Sequence, residues 1–253
     1  MRLEALIFDV DGTLAETEEL HRQSFNLTFQ QFKLDWYWDP ELYTKLLQTT
    51  GGKERIIRYV DEFRPEERLV LDRLPQLHKT KTRSYLDLLS KGALKLRPGI
   101  ERLVDAALEH GIKLAIATTS TPTNVKALLR STLGEDAPSW FTITAGDVVD
   151  RKKPDPAVYF EALEALGVGP AHAIAFEDSA NGLRAARKAG INVVATPSLY
   201  LRDEDFSGAT AVVSNLGEPD KPFEHIAGAT FPERMVTLEG LRALLDCSGD
   251  DIG

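Results

Sequence analysis

Short apolar runs alternate with segments of helical spacing over most of the chain. Such runs occur at residues 3–8, 113–117, 173–176 and 191–195. Runs this short and this apolar are typical of strands buried on both faces of a parallel sheet. Apolar positions spaced as on a helix follow at 100–108, 123–132, 155–166 and 181–189. The alternation predicts an α/β fold, a doubly wound parallel sheet with helices on both faces.

Three further segments show a weaker pattern of apolar residues. Residues 141–144 are predicted to form a short strand, and 211–213 to add an edge strand. Leu238, Leu241, Leu244 and Leu245 are spaced for a C-terminal amphipathic helix. These short segments complete the predicted sheet and its covering layers.

One long stretch interrupts the alternation directly after the first apolar run. Its helical segments cover 16–34, 40–49, 53–63, 66–77 and 79–91, with no convincing strand among them. Glycine and proline at 92, 98 and 99 mark the return to the strand–helix pattern. The sequence therefore predicts an all-helical insert, a cap domain of residues 16–95, in an α/β core formed by 1–15 and 96–253.

Composition narrows the class of protein. The 253 residues suffice for a sizeable core, and 39 acidic against 30 basic residues give a formal net charge of −9. This charge disfavours nucleic acid or an anionic membrane as the main partner. A single cysteine, Cys247, no long apolar run and a first strand that starts almost at once favour a cytoplasmic protein without a signal peptide. We expect a monomer that binds a small molecule.

Two carboxylates follow the first predicted strand. Asp9 and Asp11 stand one residue apart before Gly12-Thr13. Side chains at positions i and i+2 of a strand point the same way, and the carboxyl end of a central parallel strand opens onto the ligand crevice of α/β proteins. Two carboxylates this close repel each other, so the pair predicts a bound cation or one protonated member. The simpler interpretation is a pair of solvated aspartates before a glycine turn.

Other predicted strands also end in polar groups. Thr118-Thr119-Ser120 follows the strand at 113–117, and Glu177-Asp178 follows the strand at 173–176. Lys153 lies between them, just before a predicted helix. Each has a plain alternative: a hydroxyl that caps the next helix, polar turn residues, or a solvated loop lysine. Their joint order, each at a strand or helix end, favours a single site.

Together these motifs resemble the four motifs of the haloacid dehalogenase-like hydrolase superfamily, over roughly residues 3–198. The resemblance implies a Mg²⁺-dependent phosphatase in which Asp9 is the nucleophile and Asp11 the general acid and base. It implies that Thr118 and Lys153 bind the phosphate. The implied metal ligands are Asp9, the backbone carbonyl of Asp11, Asp178 and Glu177. Asp11 argues for phosphate chemistry, because the dehalogenases of the superfamily lack an acid at this position.

The predicted insert carries the specificity signal. Its place and helical character resemble the β-phosphoglucomutase-like subgroup, and residues 9–22, 34–39 and 50–55 look closest to CbbY-type phosphatases of xylulose-1,5-bisphosphate. The glycine break at Gly51-Gly52 precedes Lys53 and Arg55, which together suit a second phosphate at a helix start. The substrate-binding residues implied in this way are Thr17, Glu18, His21, Gly51, Gly52, Lys53, Arg55, Thr119 and Ser120.

Three functions remain open from the sequence. The first is a Mg²⁺-dependent phosphatase of a small phosphorylated sugar, with a bisphosphate as the expected substrate. The second is a phosphoglucomutase, which shares the same core motifs. The third is a regulator that binds a phosphorylated ligand without turnover, which would not need Asp11.

Overall fold

The computed structural model describes residues 2–92 and 94–247. Residues 248–253 of the predicted core and the side chain of Cys247 lie outside this description. The strands are β1 Ala5–Phe8, β2 Lys113–Thr118, β3 Phe141–Ala145, β4 Ala173–Glu177, β5 Asn192–Ala195, β6 Ala211–Val213 and β7 His225–Gly228. The α-helices are α1 Glu18–Gln31, α2 Pro40–Leu47, α3 Gly52–Phe63, α4 Leu74–Leu89, α5 Ile100–Glu109, α6 Pro122–Leu133, α7 Ala157–Leu166, α8 Ala180–Lys188 and α9 Leu238–Cys247.

The strands form one sheet in the order β3-β2-β1-β4-β5-β6-β7. All neighbouring pairs are parallel except β6 with β7, which is antiparallel. The predicted doubly wound sheet is therefore confirmed. The prediction that 211–213 form an edge strand is wrong, because β6 lies between β5 and β7.

Strand β1 is buried on both faces because its side chains enter two different hydrophobic clusters. Leu6 and Phe8 pack on one face with residues of α5, α6 and α9. Ala5 and Ile7 pack on the other face with residues of α7 and α8. The period of two along a strand separates the two sets. This arrangement makes a three-layer core with β1 near its centre.

The insert between β1 and α5 is helical, as predicted. It contains α1 to α4, with a 3₁₀ segment over Pro65–Arg73 where the sequence predicted an α-helix. Trp36, Trp38 and Tyr59 form part of its own hydrophobic cluster. We refer to α1–α4 as the helical insert.

Arg97 forms hydrogen bonds that link the chain entering the helical insert, the chain leaving it and the loops that follow the sheet strands. Its guanidinium group, almost fully buried, donates to the carbonyl oxygens of Thr196 at 2.6 Å and Ser214 at 2.7 Å, and also to that of Gly12. Its backbone N–H donates to the Leu14 carbonyl at 2.8 Å. Because the incoming and outgoing connections meet at this side chain, the insert starts directly beside the loop that follows β1.

Candidate active site

The carboxyl ends of β1 and β4 bring three acidic side chains together. Oxygen atoms of Asp9, Glu177 and Asp178 lie within 4.8 Å of one another, and all three residues are buried. The sheet enforces this meeting, because β1 and β4 are neighbours and the Asp9 N–H donates to the Phe176 carbonyl at 3.0 Å. The chain changes direction across the sheet at this pair of strands, where open α/β sheets bind their ligands.

Lys153 is the cation among these acids. Its Nζ donates to Asp9 Oδ1 at 2.7 Å, Glu177 Oε1 at 2.6 Å and the Ala117 carbonyl at 2.9 Å. Tyr159 of α7 also donates to Glu177. Burial works against the charged amine, yet Asp9 and Glu177 raise the pKa of Lys153 above its usual value. Lys153 is therefore a fixed positive charge behind the nucleophile predicted from the sequence.

The three carboxyl groups around Lys153 would carry more negative charge, if all were ionised, than its single positive charge can balance. Burial raises the pKa of Asp9 to about 7, although Lys153 opposes the shift. Burial and the charge of Asp9 also raise the pKa of Asp178 well above its usual value. Carboxylates that burial penalises in this way are stabilised by a cation bound to them.

The residues present fit a divalent metal ion. Glu177 Oε2 and Asp178 Oδ2 are buried oxygen atoms without a hydrogen-bond partner among the described residues. Gly12, with φ of +83°, leaves room for the Asp178 carboxylate, since a Cβ atom there would collide with it. Clustered carboxylate oxygens are the ligands of a hard cation such as Mg²⁺. Asp9, Glu177 and Asp178 therefore form a candidate metal centre.

The Asp11 carboxylate turns away from this centre. It accepts hydrogen bonds from Thr17 Oγ1 at 2.5 Å and from Ser120 Oγ, and it lies 2.9 Å from His21 Nε2. Burial alone would raise the pKa of Asp11, but His21, Ser120 and Thr17 together hold it below the usual range. The structure thus places the Asp11 side chain outside the acidic trio, and its predicted contact with a metal rests on the backbone carbonyl.

His21 has a second partner that the sequence did not indicate. Lys81 of α4 lies 2.6 Å from His21 Nδ1, and Tyr85 stacks on the imidazole with ring centroids 4.3 Å apart. A lysine that donates to Nδ1 leaves the proton on Nε2, which then points to Asp11. Lys81 and His21 of the helical insert therefore orient the acid of the core.

The segment after β2 forms another wall of the site. Thr118, Thr119 and Ser120 all line the cavity above Asp9. The Ser120 N–H donates to Thr118 Oγ1 at 3.2 Å. Thr121 then caps α6 with its side chain, so the segment leads straight into a helix N-terminus. Hydroxyl and N–H donors of this kind suit an anion.

The helical insert closes the far side of the cavity. Glu18, Gly51, Gly52 and Arg55 line it, together with His21. Tyr43 connects two of them, because its hydroxyl donates to Glu18 at 2.6 Å and accepts from Arg55 Nη1 at 2.8 Å. The glycine break, with φ of +99° at Gly51, lets the backbone reach the cavity wall.

Three of the predicted residues lie outside the set that lines the cavity. Thr17 reaches the site through Asp11, Glu177 lies behind Lys153, and Lys53 lies on the first turn of α3 next to the wall. Thr17 and Glu177 therefore act on groups of the site, and the predicted contact of Lys53 with substrate remains a prediction.

Several site residues were missed from the sequence. They are Tyr43, Lys81, Asn124, Tyr159 and Asn181. Lys81 had a visible signal, because it shares one helix face with Leu77 and Tyr85 at intervals of four residues, and a cation on an apolar face needs a partner. Tyr43, Tyr159 and the two asparagines carried no comparable signal, since such residues are common on ordinary helices.

A comparison with protein families matches residues 3–190 to the haloacid dehalogenase-like hydrolases. The chain belongs to this family. Protein CbbY of Rhodobacter capsulatus is 51% identical over 219 residues, which cover 85% of this chain and 95% of that protein. Protein CbbY of Cupriavidus necator is 47% identical over 246 residues, covering 95% and 96% of the two chains.

A solved structure shows the same relationship. A mutant of CbbY from Rhodobacter sphaeroides, in complex with xylulose-(1,5)bisphosphate, is 45% identical with a TM-score of 0.78. The match covers 84% of this chain and 94% of that one. The predicted membership in the superfamily and likeness to CbbY proteins are confirmed, and with them the prediction of a phosphatase. Within the described residues of this hydrolase, every helix is too short or too polar to cross a membrane.

Proposed function

We propose that this hydrolase is a Mg²⁺-dependent phosphatase that removes a phosphate from a phosphorylated sugar through an aspartyl-phosphate on Asp9. The observation that carries the proposal is the pair Asp9 and Asp11. One carboxylate is held by Lys153 at 2.7 Å, and the other is held separately by Thr17 and His21. Two acids on one loop with different partners suit two different tasks.

In the first step, an Asp9 carboxylate oxygen attacks phosphorus while the bond to the leaving sugar oxygen breaks. Asp11 gives a proton to that oxygen, so the sugar leaves as an alcohol. A phosphate dianion beside Asp11 favours its protonated form by charge repulsion. Lys153, whose Nζ already faces Asp9, opposes the repulsion between nucleophile and phosphate.

In the second step, water attacks the phosphorus of the aspartyl-phosphate. Asp11 takes the proton of that water, and the bond from phosphorus to the Asp9 oxygen breaks. The three donors around Asp11 stabilise the carboxylate form that this step requires. The products are inorganic phosphate and the enzyme in its starting state.

The metal would be held by the Asp9, Asp178 and Glu177 side chains and, as the family resemblance implies, by the Asp11 carbonyl. When bound, Mg²⁺ neutralises the phosphate oxygens and the surrounding carboxylates. The unpartnered oxygen atoms of Glu177 and Asp178 support this set of ligands.

The proposed substrate is a sugar bisphosphate such as xylulose-1,5-bisphosphate. One phosphate would occupy the core site, and the second would meet Arg55 and the backbone at Gly51-Gly52. Arg55 lines this part of the cavity, and its buried Nε lacks a hydrogen-bond partner among the described residues. The complex of the related CbbY with xylulose-(1,5)bisphosphate supports the same class of substrate. In this proposal residues 16–95 act as a cap domain over a core of 1–15 and 96–253.

The test is a multiple-turnover phosphate-release assay over sugar monophosphates and bisphosphates, with Mg²⁺ or with EDTA. We expect steady release that requires Mg²⁺ and is fastest on a bisphosphate. The variant Asp9→Asn should retain its fold by circular dichroism and lose turnover, because an amide is a poor nucleophile. Interconversion of sugar phosphates without net release would indicate a mutase. Binding without turnover would indicate a regulator.

A further inference from the structure

Tyr159 places a hydroxyl group behind the three acids of the site, and the mechanism above gives that group no task. The residue is the third of α7, is fully buried, and belongs to the hydrophobic cluster that Ala5 and Ile7 enter. A phenylalanine ring would fill the same apolar place. A buried hydroxyl has a free-energy cost unless it forms a hydrogen bond, so its presence calls for a reason beyond packing.

The hydroxyl of Tyr159 acts on one oxygen of Glu177. It donates to Oε1, which also accepts from Lys153 Nζ at 2.6 Å. The other oxygen, Oε2, is buried and has no hydrogen-bond partner among the residues that the structure describes. A hydroxyl whose task was to satisfy the carboxylate would serve the oxygen that lacks a donor. Tyr159 therefore does more than complete the hydrogen bonds of Glu177.

The two donors on Oε1 decide which oxygen of Glu177 can serve a cation. A carboxylate oxygen has two lone-pair positions, and Oε1 uses both of them for Tyr159 and Lys153. Only Oε2 remains for a metal ion or for a water molecule bound to it. Gly182 of α8 gives the carboxylate its room, since a Cβ atom there would collide with it. The carboxylate therefore cannot turn without losing one of its two donors.

We propose that Tyr159 is a positioning residue of the metal centre, which fixes Glu177 so that Oε2 is the oxygen available to Mg²⁺. This inference rests on the metal centre of the proposed function and names a residue that shapes it. Partners that hold a metal ligand in place contribute about 10–100-fold to metal affinity. Mg²⁺ demands near-ideal octahedral geometry, whereas Ca²⁺ accepts flexible arrangements of oxygen ligands. Loss of the Tyr159 hydroxyl should therefore weaken the binding of Mg²⁺ more than that of Ca²⁺.

The test is the variant Tyr159→Phe, which removes the hydroxyl and keeps the ring, whose centroid lies 5.3 Å from Lys153 Nζ. Isothermal titration calorimetry of the metal-free protein with Mg²⁺ or Ca²⁺ gives the Kd of each ion. We expect the Kd for Mg²⁺ to rise at least about tenfold and that for Ca²⁺ to change less than about threefold. Tyr59→Phe, the same change at a buried position of the helical insert, is the matched control and should bind both ions like the wild type.

The comparison of two ions separates positioning from a general loss of stability. The Kd is measured on protein that circular dichroism shows to be folded, and damage to packing gives no reason for one ion to lose more than the other. An unchanged Kd for Mg²⁺ in Tyr159→Phe, or losses of equal size for the two ions, would overturn the role of Tyr159. Both outcomes leave the metal centre of the wild type intact. A wild type that binds neither ion would instead overturn the proposed metal centre, and the role of Tyr159 with it.

Discussion

At the scale of the residue, Asp9 and Asp11 show how partners assign different tasks to identical side chains. Asp9 faces Lys153 and two further acids, whereas Asp11 faces only donors from Thr17, His21 and Ser120. The spacing of two residues brings both to the same crevice, but the loop after β1 turns them to different neighbours. The division of tasks in the proposed mechanism follows from those neighbours.

The variant Asp11→Asn tests this division. Its amide keeps one oxygen for Thr17 and His21, which both contact Oδ1, and places an NH₂ group beside Ser120. Because an amide cannot move a proton, kcat should fall by about 10²–10⁴-fold, the usual contribution of general acid–base catalysis. The measurement is steady-state phosphate release with saturating Mg²⁺. Metal affinity, followed by the rise of Tm with Mg²⁺, should stay close to that of the wild type. A collapse of metal affinity would make the Asp11 carboxylate a ligand.

Arg55 can be tested with a pair of substrates. Charge-assisted hydrogen bonds contribute about 1.5–3 kcal/mol each, and about 1.4 kcal/mol corresponds to a factor of ten. Arg55→Ala should therefore lower kcat/KM on a sugar bisphosphate at least about tenfold. A small aryl phosphate, which has no second phosphate, should lose much less.

The hydrogen bond between Arg55 and Tyr43 calls for a matched control variant. Tyr43→Phe removes the hydroxyl that accepts from Arg55 Nη1 but keeps the arginine in place. We expect this variant to retain the preference for the bisphosphate. If Arg55→Ala slows both substrates equally, Arg55 supports the packing of the insert rather than a second phosphate.

At the scale of the element, the sequence predicted most strands and helices because their periodicity follows from burial. β1 is apolar throughout, and β4 is apolar up to its last residue, Glu177, since both faces of each strand are covered. The pattern failed at β7, where His225 to Gly228 are all exposed and neither face is buried. Pro65–Arg73 winds as a 3₁₀ segment, with Glu67 outside helical backbone angles, although its composition is helix-forming. Composition alone does not distinguish these hydrogen-bond patterns.

Lys81 of helix α4 makes the stability of the folded protein depend on pH. Burial lowers the pKa of Lys81 to about 8 from its ordinary 10.5, against the opposing charge of Asp11. The unfolded chain therefore binds more protons than the folded protein between these pH values. Below about pH 8 the folded protein bears the full free-energy cost of burying the charged amine of Lys81. As pH rises from about 8 to 10.5 this cost is progressively removed, so the free energy of unfolding of the wild type increases.

Lys81→Met keeps a long side chain and removes the titrating group. We expect the free energy of unfolding of the variant minus that of the wild type to decrease from pH 8 to pH 10.5, by about 1.4 kcal/mol for each unit of pKa shift at most. Urea denaturation at several pH values measures this difference. Lys126→Met, at an exposed position of α6, controls for the loss of one positive charge. Stability curves that stay parallel for Lys81→Met would contradict the prediction.

At the scale of the whole molecule, the site exists because sheet and insert meet over the carboxyl ends of the strands. Asn181 of α8 donates to the Gln48 carbonyl of the insert at 2.9 Å. Leu201, after β5, packs in the hydrophobic cluster of the insert and also lines the cavity. The motifs predicted which core residues assemble, since parallel strands end at one edge. They could not predict these contacts, which depend on where the insert rests on the core.

The whole molecule should also respond to the metal. Asp9, Glu177 and Asp178 are buried around the single amine of Lys153, so the folded state without a cation contains repulsion that unfolding relieves. An ion that binds only the folded state adds about 2.7 kcal/mol to the free energy of unfolding at one hundred times its Kd. We expect Mg²⁺ to raise the Tm of the wild type relative to EDTA.

Asp178→Asn separates the two parts of this effect by their sign. It removes a buried acid whose pKa in the folded state is raised, and with it the free-energy cost of that shift, so in EDTA the variant should be at least as stable as the wild type. It also removes a ligand, so Mg²⁺ should raise its Tm far less. Asp105→Asn, an exposed change on α5, controls for net charge and should respond to Mg²⁺ like the wild type. Should Asp178→Asn lose stability in EDTA while keeping the full response to Mg²⁺, Asp178 would be a structural acid, and the metal would have to lie elsewhere.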